Sequence, residues 1–312
     1  MRSNRPLLAL AFSLLLPACT PDPPPVAPAT PSATAANTPA PPAIVAPAEP
    51  PRAAAGEPCG ALECRLFDAP EDALRVVLAG NPLVLGIGEA HAQKGMEGVE
   101  SAARRFTTRL LPVVGGRASD LVVELMLPPR GCKPAEKQVR EQQKEVTRHQ
   151  AESNQSEYVT MGDAARKLGV IPDALRPTCE DLDRAARAGD GAIAVMLENI
   201  ARLAGAKARD LLGRNEKAGV EKMVILYGGA LHNDASPAAA RAAWSFGPEL
   251  RSATKDRYVE LDLFVPESIQ DTDSWKAMPW VAHYDKAAHG ASTVLFKTGP
   301  ASWVMVFPRT RR

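Results

Sequence analysis

The sequence predicts an α/β domain with a central, mainly parallel sheet flanked by helices. Three observations carry this. Between Leu83 and Val265 short apolar runs alternate with stretches of helical periodicity, the order of βαβ units. The interior runs are almost wholly apolar, which suits strands covered on both faces. About 250 residues follow Cys59, enough for one large core, so 59–312 is read as a single domain.

The chain begins differently. Arg2 and Arg5 precede an apolar run from Leu7 to Leu16, which is too short for a permanent membrane span, and residues 1–18 read as a secretory signal peptide. The run closes in Leu16-Pro17-Ala18-Cys19, which resembles the lipobox of bacterial lipoproteins. That resemblance implies acylation of Cys19, attachment to a membrane through it and a place in the bacterial cell envelope. Each buried acyl methylene would contribute about 0.8 kcal/mol. Thr20, rather than Asp, after the anchor resembles sorting to the outer membrane. The rest of the 19–58 segment is dominated by proline and alanine and cannot bury enough apolar surface to order itself, so it reads as a disordered tether. In extended polyproline form it would reach on the order of 100 Å.

Charge and composition narrow the partners. The chain carries 37 Lys and Arg against 36 Asp and Glu, so no net field recruits nucleic acid, and aromatics at 5% offer no base-stacking platform. Four cysteines remain after Cys19 in a chain destined for an oxidising compartment, where disulfides are expected. Cys59 and Cys64 would pair, leaving Cys132 and Cys179 to close the polar excursion between them, although three connectivities are open to four cysteines. The spacings do not suit a zinc site.

The elements follow in order. The first strand is Leu83 to Gly88. Met96, Val99, Ala103, Phe106 and Leu110 recur at helical spacing before Pro112, which predicts a helix over 96–111. The second strand is Leu121 to Met126, and its single carboxylate, Glu124, is conspicuous in an interior run. Residues 133–157 are polar, with only Val139 and Val146 as large apolar residues, and read as a solvated helical insertion. Because they leave directly after the strand bearing Glu124, a lid over a site is the alternative. A short helix near 161–168, strand-like Val170-Ile171 and a polar helix near 179–188 return the chain to the sheet. Ile193 to Leu212 mark a long amphipathic helix, interrupted at Gly205 and ending near Gly213 or Gly219. Strands at Lys222 to Tyr227 and Tyr258 to Val265 follow. Thr293 to Phe296 and Trp303 to Phe307, around Gly299-Pro300, form an antiparallel hairpin at the sheet edge.

The chemistry gathers at strand ends, where open α/β sheets bind ligands. Gly88-Glu89-Ala90-His91 ends the first strand, Glu124 lies near the end of the second, and Gly229-Ala230-Leu231-His232 ends a later one. Glu89 and His91 are two apart and share a face in extended backbone. Taken singly, these residues read equally as helix caps, ion-pair partners or groups closing tight turns. The four together at strand ends read as a site.

These motifs, with Val122-Val123-Glu124 between them, resemble the superfamily of TIKI/TraB proteins, erythromycin esterases and ChaN-type haem-uptake lipoproteins, over roughly residues 70–265. The glutamate before the first histidine is most similar to the esterase and ChaN branches, and the lipid anchor to ChaN. The chain departs from the pattern at Asp190-Gly191-Ala192-Ile193, where a basic residue would be expected; Arg187 lies nearby in another register.

Two mechanisms suit this residue set. Glu89, His91, Glu124 and His232 could supply ligands to a divalent metal whose bound water is the nucleophile, with a spare carboxylate as base. Alternatively, a carboxylate-supported histidine deprotonates water directly. Either hydrolyses an ester or amide of a small molecule or peptide. No Gly-x-Ser-x-Gly elbow suggests a covalent route. The reading from another class is non-enzymatic capture of haem or an iron complex, for which Tyr227 and Tyr258 are candidate axial ligands, although both sit inside strand patterns and read as core. A degenerate relative kept as an envelope interaction protein is a third reading. His149 reads as a solvated surface residue, and nothing in the spacing of His283 or His289 draws them to the site.

Overall fold

The computed structural model describes residues 56–310. The expected signal peptide, the acylated Cys19 and residues 20–55 of the expected tether fall outside them. Glu57 and Pro58, at the end of that tether, already belong to the first strand. Among the described residues no helix is long and apolar enough to cross a membrane.

Nine strands form one sheet: β1 (Glu57–Gly60), β2 (Cys64–Phe67), β3 (Val84–Glu89), β4 (Ala118–Met126), β5 (Ile171–Leu175), β6 (Met223–Gly229), β7 (Tyr258–Phe264), β8 (Thr293–Gly299) and β9 (Ser302–Val306), in the order β1-β2-β8-β9-β7-β3-β6-β4-β5. The run from β9 to β5 is parallel throughout, and β8, β2 and β1 extend it antiparallel. This is the α/β architecture expected, with the β8–β9 hairpin on the antiparallel side. The β1–β2 hairpin, invisible in the apolar pattern, adds two further strands there. Its tight turn holds Leu62 and Glu63 at positive φ, 57° and 46°, and a Cys59–Cys64 disulfide closes it.

Alternation along the strands divides the core. On one face Leu85, Ile87, Val123 and Tyr227 pack under α1 (Pro70–Val77), the helical run that comprises α2 (Ala102–Arg105), a wide turn and α3 (Leu111–Gly115), and, beyond α4 (Lys133–Thr147), the helix α5 (Asn154–Lys167). On the other, Val84, Val122 and Leu226 pack under α4, α6 (Cys179–Arg187), α7 (Ala192–Lys217) and α8 (Gly247–Ala253). A third cluster of Phe264, Trp275, Trp280 and Phe296 covers the antiparallel side.

Several expected boundaries shift for identifiable reasons. The helix expected at 96–111 starts at Ala102, where Ser101 Oγ caps it by accepting from Arg104 N at 3.0 Å; Met96 and Val99 lie in the preceding loop. Pro112 does not end it. Phe106–Leu110 form a π-turn, with Leu111 N–H reaching Phe106 O, so the proline falls in the first turn of the next helical segment, where its missing N–H is not needed. Gly205 does not interrupt α7: a Cβ there would sit 3.2 Å from Glu249 Oε2 and 3.4 Å from Phe246 Cβ, so its smallness lets α8 approach. The polar insertion is helical as expected, but α4 is not wholly solvated, because Ala135 and Val139 are buried against the second layer.

The second disulfide joins Cys132 to Cys179, tying the start of α4 to the start of α6 across 47 positions. The Thr178–Asp181 capping box fixes α6 at the same place. Closing a loop of that length removes about 4 kcal/mol of chain entropy from the unfolded state. The Cys132→Ser, Cys179→Ser double variant is expected to melt roughly 8–16 °C below the parent, measured by circular dichroism under non-reducing conditions.

Candidate functional site

The site is assembled at the carboxyl ends of β3, β4 and β6, neighbours in the order β3-β6-β4. Glu89 is the last residue of β3 and stands opposite Gly229 of β6. Its side chain continues the row of Leu85 and Ile87. Glu124 continues the row of Val122 on the other face, so the two carboxylates leave the sheet on opposite sides. The glycines are required by close approach. A Cβ at Gly228 would run into the Glu124 carboxylate, and one at Gly88 would lie 2.6 Å from both Ala230 Cα and Asn233 Oδ1.

Around Glu89 three donors converge. The Tyr158 hydroxyl donates to Oε1 at 2.9 Å and the Tyr227 hydroxyl to Oε2 at 2.7 Å, while His91 Nδ1 lies 3.1 Å from Oε1. All four groups are buried. Burial, and then the Glu89 charge, hold both phenols well above their ordinary range, so they stay protonated and donate. Burial alone would lower the His91 pKa. The Glu89 hydrogen bond and the charges of Glu89 and Glu124 outweigh it, and the imidazole titrates above its usual 6.5. His91 Nδ1 therefore donates to Glu89, and Nε2, which has no partner, is left free.

The second unit is Glu124 and His232. Glu124 Oε2 accepts from Gly229 N at 2.7 Å. His232 Nδ1 lies 2.7 Å from the Trp244 carbonyl, an acceptor only, so Nδ1 carries a proton, and the tautomer this selects presents its lone pair at Nε2. That Nε2 stands 3.7 Å from Glu124 Oε1, and both atoms are buried without a partner. Two acceptors facing each other call for a donor between them. Beside them lies a cavity of about 20 Å³, lined by Glu124, Tyr227, Gly229, His232 and Ile200 among others, the room one water needs.

The four residues named from sequence thus stand as two carboxylate–imidazole units, coupled because the Glu124 charge reaches His91 and Tyr158. Among the described residues no three His, Cys, Asp or Glu side chains are placed together as a metal-binding group. Sequence reasoning missed Tyr158 and the hydroxyl role of Tyr227, whose ring is core as expected. A signal for Tyr158 existed: it is the only Phe, Tyr or Trp between Phe106 and Tyr227, and Tyr227 packs on both, at 4.9 Å and 5.6 Å between ring centres. Tyr258 is buried, its hydroxyl given to the Asn233 carbonyl. His149 is exposed beside Arg148, His283 is exposed, and His289 accepts from Asp285 N.

The site is roofed. The strand end runs on through Ala92, Gln93 and Lys94, which pair antiparallel with residues 149–151: Lys94 N to His149 O and Ala151 N to Ala92 O, both at 2.8 Å, with Asn154 Nδ2 also on Ala92 O. This clasp draws the α4–α5 connection over the turn carrying His91.

No protein-family model matches the chain, and no curated protein matches it. Among solved structures the type III effector HopBA1 is similar at a TM-score of 0.34 and 12% identity, over 80% of this chain and 98% of that one. A likeness at that level carries no argument about fold or function.

Proposed function

We propose that the domain is a hydrolase that attacks an ester or amide with water, as the resemblance to the erythromycin-esterase branch also suggests. The observation that carries this is the facing pair of unpartnered acceptors, His232 Nε2 and Glu124 Oε1, beside a water-sized cavity. A water donating to both would have its oxygen lone pairs turned away from them toward an incoming carbonyl. His232, its tautomer fixed by Trp244 O, takes the proton as general base, and the Glu124 charge stabilises the imidazolium. His91, protonated on its Glu89 support, offers Nε2–H to the developing oxyanion and then to the leaving group. No covalent intermediate forms. The three buried donor atoms would also suit a divalent ion, but as placed they do not form a metal-binding group, and no step above uses one.

The test is a panel of p-nitrophenyl esters and aminoacyl p-nitroanilides with the full-length protein, beside elemental analysis and an absorption spectrum. Turnover that the site variants abolish supports the reading. A stoichiometric haem band with no turnover would replace it with capture in the manner of the ChaN branch.

Entry requires the clasp over His91 to part. Gln93 and Gln150 are an antiparallel bridge pair, close enough for an engineered disulfide. A Gln93→Cys, Gln150→Cys variant is expected to lose at least 90% of turnover when oxidised and to regain it on mild reduction, with the parent under the same reductant as control.

A further inference from the structure

The second covering layer leaves a gap over β7 and β9. Between the Ala239–Trp244 turn and α8 on one side and Met278 and Trp280 on the other lies a cleft of about 700 Å³, within the ordinary range of small-molecule sites. Glu260 and Asp262, two apart on β7, line its floor, and Asp234 joins them from the loop after His232. Glu260 is only 8% exposed. Its Oε2 accepts from Ala235 N at 2.8 Å and Ser302 Oγ at 2.6 Å, while Oε1 has no hydrogen-bond partner and reaches the open cleft. Asp262 Oδ1 accepts from Asn233 Nδ2 at 2.9 Å, and its second oxygen has none.

A buried carboxylate such as Glu260 is ordinarily paired, and the half-buried Asp234 and Asp262 beside it add like charge rather than a partner. Among the described residues no Lys, Arg or His forms an ion pair with Asp234, Glu260 or Asp262. Arg251 on the wall is committed to Asp256 at 2.6 Å, and Arg241 is exposed at the rim. Burial above all, with the neighbouring acids, pushes Glu260 up to about 7 and Asp262 well above the usual range. Ionising the floor therefore carries an electrostatic cost that an incoming cation would relieve. The walls decide which cation: the half-buried Trp244 and Met278, with the edges of the packed Phe264 and Trp280 behind them, give an apolar lining that suits an organic body, and no metal-binding group is assembled among the described residues.

We propose that this cleft binds an organic ammonium ion with an apolar body, the ammonium seated on Glu260 and Asp262 and the body against Trp244 and Met278. The inference stands apart from the hydrolase reading, since it uses none of Glu89, His91, Glu124 or His232 and is tested by binding alone.

The experiment titrates the full-length protein with 4-phenylbutylamine and with the neutral isostere 4-phenylbutanol, followed by calorimetry and tryptophan fluorescence. The amine is expected to bind at least tenfold more tightly than the alcohol. Glu260→Gln should weaken the amine at least tenfold, although its amide oxygen can still accept from Ala235 N and Ser302 Oγ. The same variant should melt higher than the parent at pH 8. A carboxyl raised above its unfolded value loses stability as pH rises from 4.5 through about 7, and the amide does not. The charged groups around it, Asp234, Asp262, Arg241 and Arg251, are unchanged by the substitution. Equal affinity for amine and alcohol overturns the proposal, as does no binding of either at millimolar concentration. Unaltered amine binding in a folded Glu260→Gln does so as well.

Discussion

Replacing Glu89 with alanine is expected to lower the unfolding free energy by about 3–6 kcal/mol. The carboxylate is the common acceptor for Tyr158, Tyr227 and His91, all buried. Its loss strands three donors away from water, and each unsatisfied group costs about 1–3 kcal/mol. For a domain of this size the melting point should fall by roughly 10–20 °C. Glu89→Gln separates charge from hydrogen bonding: one amide oxygen still serves a tyrosine, so about half the loss is expected. Its pH dependence should also differ. The folded His91 titrates above 6.5, so its ion pair contributes fully below that pH and is lost as pH rises through the folded value. The parent therefore weakens as pH rises above 6.5, and Glu89→Gln should show a flatter slope over that range. Urea unfolding from pH 5.5 to 9 measures both. A Glu89→Ala protein within 1 kcal/mol of the parent would mean that Glu89 does not anchor the cluster.

The strand ends were legible because their chemistry is local. A glutamate inside an apolar run and a histidine two residues past another glutamate are visible without coordinates, and the structure places Glu89, His91, Glu124 and His232 at adjoining strand ends. What was not legible depends on distance in the chain. Tyr158 reaches Glu89 across 69 positions from a helix whose sequence is otherwise polar. The group that fixes His232 is the backbone carbonyl of Trp244, which no side-chain pattern reveals. Pro112 and Gly205 misled for a related reason. Each breaks a helix by its own propensity, but a π-turn accommodates the first, and the approach of α8 gives the second a purpose. The acidic floor of the cleft was hidden differently, because Glu260 and Asp262 look like the polar half of an ordinary alternating strand until the missing counter-charge is seen.

Glu124→Gln and His232→Ala are each expected to lower kcat on any ester the protein turns over by about 10²–10⁴, the contribution of a positioned general base. That range is about 3–5 kcal/mol in the barrier. The glutamine substitution is the sharper of the two. Its amide oxygen can keep the hydrogen bond from Gly229 N, and the side chain still fills the space that Gly228 leaves, so the turn carrying His232 is undisturbed. Only the charge facing Nε2 disappears, and an amide hydrogen replaces one of the two acceptors that would orient the water. KM should therefore change less than about threefold while kcat falls, the pattern of an interaction made in the transition state rather than in substrate binding. His232→Ala also removes the base itself, and the double variant should be no worse than His232→Ala alone, because the two groups act on one proton. Multiplicative losses in the double variant would show that Glu124 and His232 act on separate steps. Full turnover in Glu124→Gln would remove Glu124 from the chemistry and leave it as the peg that holds the Gly229 turn.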